Sequence, residues 1–309
     1  MNFRTEIQLP PAPFKLTYKD QVAFIGSCFS ENISSRLSDL KMKVNCNPFG
    51  IVFNSISIQK NLLRLIEKRN YTSPELFKGS QFYSFDHHSS FSDFDVENCL
   101  RKINQSMEEG HAFLKQSKVL FITLGSAYAY WYKERNEVVA NCHKLPQSVF
   151  QKKLSKVEEI VNGFSELIMQ LQFFNPELKI VFTVSPVRHL KDGMIENQRS
   201  KAILLESVHQ IVEAFNNVNY FPAYEIAMDD LRDYRFYGKD MLHLNEVGID
   251  YVFQKFSELY FELDTLQIMH EVQSHNKFMN HRSLSGEDIS DQKKKASDQL
   301  YLKYPFLQQ

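Results

Sequence analysis

Apolar positions along the chain fall into two rhythms. Residues 21–25, QVAFI, form a nearly unbroken apolar run that stops at Gly26, as a strand covered on both faces would. Directly afterwards Phe29, Ile33, Leu37 and Leu40 recur at helical spacing. The same pairing returns further on. Ile58, Leu62, Leu65 and Ile66 predict a helix over 55–68, and a second is expected over 95–115. The run 118-KVLFITLG-125 predicts the most fully buried strand, and 179-KIVFTVSP-186 predicts another. Helices are expected over 153–174 and 197–216, with a short strand over 218–222. One further helix is expected from near Asn245 through Phe261 to about residue 280. Between these elements lie a polar stretch over 70–94, with QFYSFDHHSSFS as a hairpin or loop, and a hairpin excursion after Gly125 whose turn runs from Lys133 to Glu137.

Strands alternating with helices imply an α/β three-layer sandwich around a mostly parallel sheet. Reactive groups in such folds sit at the carboxyl ends of strands. Gly26-Ser27, Gly125-Ser126, Ser185-Pro186 and the loop ending in Asp240–His243 all fall there. Residues 1–20 are proline-punctuated and read as an extended lead-in. Residues 21–262 read as the α/β domain. Residues 263–309 read as a helical extension with a polar tail, a candidate lid or homodimer contact.

Composition narrows the function. A formal charge of -1 over 309 residues gives no basic surface for nucleic acid. The 4 cysteines include no CxxC pair, so neither a disulfide scaffold nor a zinc finger is expected. HExxH, GxGxxG and GxxxxGK are absent, so no metal, dinucleotide or other cofactor is expected. No apolar run reaches 18 residues and the N-terminal residues carry no apolar signal segment. The expectation is a cytoplasmic protein without a membrane span.

Ser27 is the candidate nucleophile, because a strand-to-helix turn surrounds it with unpaired N–H groups. Its other reading is that of an N-cap for the helix that follows. Cys28 is the rival nucleophile. A serine needs a base, and His243 follows Asp240 by three residues, so one tight turn can set the carboxylate on Nδ1 and leave Nε2 free. Asn141 and His143 share a side if their segment is extended. Arg188, beyond a strand end, is a candidate clamp for a carboxylate or phosphate, and His189 is a candidate polar partner beside it.

GSCFS resembles the signature from which the GSCFA family takes its name. NPFGIVFN, TLGSAYAYW, VVANCHK, TVSPVRHLKDG, NQRSKAIL and YFPAYEIAMDDLRDYRFYGKDMLH are similar in kind and order to further blocks of that family, over about residues 20–260. The family is placed with the SGNH, or GDSL-like, hydrolases. The resemblance implies a flavodoxin-like sheet, Ser27 as nucleophile, Asp240 and His243 as its partners, and oxyanion N–H groups at Ser27 and Gly50. The third SGNH block departs from the pattern: after Gly125 come Ser126 and Ala127, with no asparagine two residues on. Asn54, then Ser126, then Asn141 are the candidate replacements. The expected activity is hydrolysis of a small-molecule or glycan ester. Acyl transfer by the same residues, or ligand binding without catalysis, are the alternatives.

Overall fold

The central sheet is built from five parallel strands, and their order explains where chemistry can sit. The computed structural model describes residues 5–281 and 290–308. In chain order, β1 (Gln21–Gly26) leads through α1 (Cys28–Asp39) to β2 (Lys43–Cys46) and α2 (Ser55–Ile66). An antiparallel hairpin, β3 (Phe77–Lys78) and β4 (Phe82–Tyr83), precedes α3 (Val96–Lys115) and β5 (Val119–Leu124). The chain then leaves the sheet for an antiparallel ribbon of β6 (Tyr128–Tyr132), β7 (Glu137–Val139) and β8 (Phe150–Leu154). It returns through α4 (Val157–Phe174), β9 (Lys179–Val184), α5 (Gly193–Ala214) and β10 (Val218–Tyr220). A single turn, α6 (Ala223–Glu225), runs into a π-helical stretch, Ile226–Asp230. Helices α7 (Glu246–Tyr260), α8 (Leu263–Asn280) and α9 (Ser290–Lys303) follow.

The sheet order is β10-β9-β5-β1-β2, parallel throughout. The direction of winding reverses between β1 and β5, the point at which open α/β sheets hold ligands outside their carboxyl ends. Ser27 and Gly125 follow those two strands. Alternation along β5 sends Leu120, Ile122 and Leu124 into one core with α2, α3, α4 and α5. Val119 and Phe121 enter the other with α1, α7 and α8. The result is the three-layer sandwich that the alternation implied. Tyr83, Phe85, Val139 and Phe150 form a smaller cluster where the ribbon meets the hairpin.

Two expectations need correction. The helix over 153–174 begins at Val157; residues 150–154 are β8, paired with β6. Its alternation of buried and exposed side chains is that of a strand with one wet face. The helix from Asn245 to 280 is two helices. Phe261 and Glu262 are extended, and Leu16 of the lead-in bonds both sides of the break: Leu16 N–H donates to Tyr260 O at 2.7 Å and Glu262 N–H donates to Leu16 O at 3.2 Å. The polar segment after residue 281 includes helix α9, and Leu307 beyond it is 2 % exposed in the second core.

Gly26 sits where β1 presses on β5. Its φ is +137°, and a Cβ there would lie 2.2 Å from Thr123 O. Gly26→Ala should therefore lose about 3 kcal/mol or more of stability. A urea unfolding midpoint equal to the wild-type value would refute the requirement for glycine at this contact.

Candidate active site

The turn at Ser27 is held from both sides of Gly26. Gly26 N–H donates to Asn47 Oδ1 at 2.8 Å, and Gly26 O accepts from Val52 N–H at 3.0 Å. The loop from β2 to α2 is thereby pinned to the end of β1. Ser27 is the N-cap of α1, and its Oγ accepts from Phe29 N–H at 3.3 Å. The capping role is thus real, and Ser27 is 3 % exposed. Burial, with Glu31 nearby, raises the Cys28 thiol pKa above its ordinary value despite the helix start. A protonated thiol is a poor nucleophile.

Asp240 and His243 form the local unit that their spacing suggested. Asp240 Oδ1 accepts from the N–H groups of Leu242 at 3.0 Å and His243 at 3.1 Å, while Oδ2 lies 2.6 Å from His243 Nδ1. Met241 takes a left-handed φ of 59° to close the turn. The Leu242 N–H, then the His243 side chain, hold the Asp240 carboxyl down at about 2. With Nδ1 committed to Asp240, Nε2 is the free nitrogen. Both side chains are about half exposed. Ser27 Oγ and His243 are not hydrogen-bonded to each other.

A residue that sequence reading missed lies beneath this rim. Lys201, 0 % exposed, donates from Nζ to Gly125 O and to Ser185 O, both at 2.7 Å. It ties the carboxyl ends of β5 and β9 together and has no carboxylate partner among the described residues. Ser200 next to it accepts the Ala127 N–H at 2.8 Å. The His189 ring lies tilted against Phe53 with centroids 5.4 Å apart, and its backbone N–H donates to Asn197 Oδ1 at 2.8 Å. Burial, then the charges of Lys201 and His243, lower its pKa to about 4, so the ring is neutral. His189 Nε2 and Thr183 Oγ1 are buried at this edge without hydrogen-bond partners among the described residues. Arg188 donates to Tyr237 OH at 2.9 Å and contacts Met228 Sδ at 2.9 Å, again without a carboxylate among the described residues.

The remaining candidates are engaged elsewhere. Gly50 N–H donates to Asn47 O at 2.7 Å and Ser27 N–H to Thr123 O at 3.2 Å, so both expected oxyanion donors already have acceptors. Asn54 caps α2: Oδ1 accepts from Ser57 N–H at 2.8 Å and Nδ2 donates to Val139 O at 3.4 Å. Ser126 Oγ accepts from Tyr128 N–H at 3.0 Å. Asn141 Oδ1 accepts from His143 N–H at 2.8 Å, and His143 stacks on Tyr83 and donates from Nε2 to Ser84 O at 2.8 Å. Phe53 is placed differently. Its carbonyl accepts from both Gly125 and Ser126, while its own N–H has no acceptor among the described residues. No group of three or more His, Cys, Asp and Glu side chains among the described residues is arranged to hold a metal ion.

Residues 21–256 match the model of the GSCFA family. The chain belongs to the GSCFA family. No curated protein matches this GSCFA chain in sequence. Among solved structures it is similar to the acetyl xylan esterase Est2A of the rumen bacterium Butyrivibrio proteoclasticus, at 10% identity and a TM-score of 0.40, covering 82% of this chain and 65% of that one. It is also similar to a Clostridium thermocellum family 3 carbohydrate esterase, at 13% identity and a TM-score of 0.34, covering 81% and 97%. A family 3 carbohydrate esterase of Talaromyces cellulolyticus matches at 8% identity and a TM-score of 0.37, covering 82% and 99%.

Lys201 gives this GSCFA protein a measurable signature. Burial pushes its pKa down to about 7. Between that value and the unfolded lysine pKa, the unfolded chain holds a proton that the folded chain lacks. Stability from this group therefore rises with pH across that window and is flat below it. Relative to Lys201→Met, the wild-type protein should gain roughly 3 kcal/mol of unfolding free energy between about pH 7 and pH 9.5. Parallel pH–stability curves for the two proteins would contradict the buried-ammonium reading.

Proposed function

We propose that this protein is a serine-dependent ester hydrolase that works through an acyl-enzyme on a small acyl ester. An O-acetylated carbohydrate is the substrate class that the SGNH resemblance suggests. The observation that carries the reading is the 2.6 Å contact between Asp240 Oδ2 and His243 Nδ1, in a chain whose Ser27 ends β1 at the sheet's switch point. Ser27 Oγ attacks the acyl carbon as its proton passes to His243 Nε2. That proton leaves with the alcohol. Water then attacks the acyl-enzyme, gives its proton to Nε2, and the acid departs as Ser27 recovers its hydrogen. Asp240 stays ionised and holds the imidazolium.

Two features of the rim favour the negative charge that develops on the acyl oxygen. Arg188 brings a positive charge with no carboxylate partner among the described residues, and Lys201 adds a second while it is protonated, below about pH 7. The N–H of Phe53 takes the donor role that the resemblance gave to Gly50. A single donor of this kind is worth about 3 kcal/mol in the transition state. His243 must approach Ser27 as substrate binds, a tightening common in ligand-free hydrolases.

With p-nitrophenyl acetate, Ser27→Ala and His243→Ala should each lower kcat by about a thousandfold or more, and Asp240→Asn by about a hundredfold. Cys28→Ala should stay within threefold. Rates for S27A and H243A within twofold of wild type, in folded protein, would sink the assignment. Loss of activity in C28A with S27A unaffected would move the nucleophile to Cys28.

A further inference from the structure

The sheet has a second opening, at the end opposite Ser27. There the amino ends of β1 and β2 meet a cavity of about 670 Å³, within the range of small-molecule sites. Four separate pieces of chain wall it: residues 17–19, the connection from α1 to β2, the first turns of α8 and the C-terminal turn.

Its apolar lining comes from Tyr18, Met42, Ile268, Phe306 and Leu307. Tyr18 is 7 % exposed and its hydroxyl donates to Leu40 O at 2.9 Å, so what remains for a ligand is the ring. The polar lining has the opposite character. Lys19, Lys41 and Lys43 border the cavity, and none of their ammonium groups has an anionic or hydrogen-bonding partner among the described residues. Among the described residues Asp264 is the one carboxylate in the wall, so three lysines there face one carboxylate. Thr265, 4 % exposed, also lines the cavity, and its hydroxyl has no partner among the described residues. It stands in the first turn of α8, whose N-cap, Glu262, makes no side-chain cap. The N–H groups of that turn add further positive potential.

Unpaired cations and an unpartnered hydroxyl beside a buried apolar floor fit one ligand chemistry. We propose that this cavity binds a single-chain anionic amphiphile, an alkyl carboxylate, with its head group at Lys19, Lys41, Lys43 and Thr265 and its chain along Met42, Ile268 and Leu307. The site is separate from Ser27 and does not depend on the hydrolase reading. Alkyl burial makes affinity rise about three- to fourfold per added methylene, and the lysines make it depend on the charge.

Titration calorimetry of the full chain with hexanoate, octanoate, decanoate and decanol tests both dependences. Decanoate should bind saturably at one site, more tightly than octanoate and hexanoate, and at least tenfold more tightly than decanol. A K41E/K43E variant, whose changes lie on exposed side chains, should keep its circular dichroism and melting behaviour and bind decanoate at least tenfold more weakly. Thr265→Val should weaken binding severalfold. The proposal fails if decanoate does not bind saturably, if decanol binds equally well, or if K41E/K43E binds decanoate as tightly as wild type, which would place the carboxylate at another site.

Discussion

Gly26 leaves no room for a side chain where β1 meets β5, and the site grows from that contact. The backbones come so close that a Cβ would fall 2.2 Å from Thr123 O. Glycine alone permits the approach, and with it the turn that makes Ser27 the N-cap of α1. The polar groups of Gly26 then fix the neighbouring loop, through Asn47 on one side and Val52 on the other. That loop carries Phe53, whose carbonyl takes the N–H groups of Gly125 and Ser126 at the end of β5. The ends of β1 and β5 are thus joined through this loop by bonds that are all backbone to backbone except the one to Asn47 Oδ1.

Charge is the second constraint. An ammonium without a carboxylate costs several kcal/mol to bury. Lys201 is nevertheless fully buried, with two carbonyl oxygens as its partners. Arg188 gives the carboxyl edge of the sheet a positive group without a carboxylate partner among the described residues, and burial, then the charge of Lys201, keeps His189 neutral beside it. Such an edge favours anionic transition states over cationic ones. Asp240 adds a negative charge there, shared between two backbone N–H groups and one imidazole nitrogen.

How much of this was legible in the sequence depended on how local each feature is. β1, β5 and β9 are covered on both faces and read directly as apolar runs. β2 escaped notice because it is an edge strand of four residues, none of them fully buried. The break between α7 and α8 leaves the apolar spacing undisturbed and comes from pairing with Leu16, about 245 residues earlier in the chain, so no local pattern could reveal it. The last two residues of β8 were taken into the expected helix because only Ser155 and Lys156 separate Leu154 from Val157. The Asp240–His243 turn was readable, since three residues and one left-handed φ build it. Lys201 was not, because its partners are 76 and 16 residues away and only the sheet unites them. The N–H donors expected at Ser27 and Gly50 came from resemblance alone, and tertiary bonds had already engaged both.

The central claim is that the hydroxyl ending β1 is a nucleophile and more than a helix cap. Treatment of the folded protein with a fluorophosphonate, followed by peptide mass spectrometry, asks this directly. One adduct per chain is expected on Ser27, abolished in Ser27→Ala and greatly slowed in His243→Ala. No covalent adduct, or one carried by Cys28 and retained in Ser27→Ala, would contradict it.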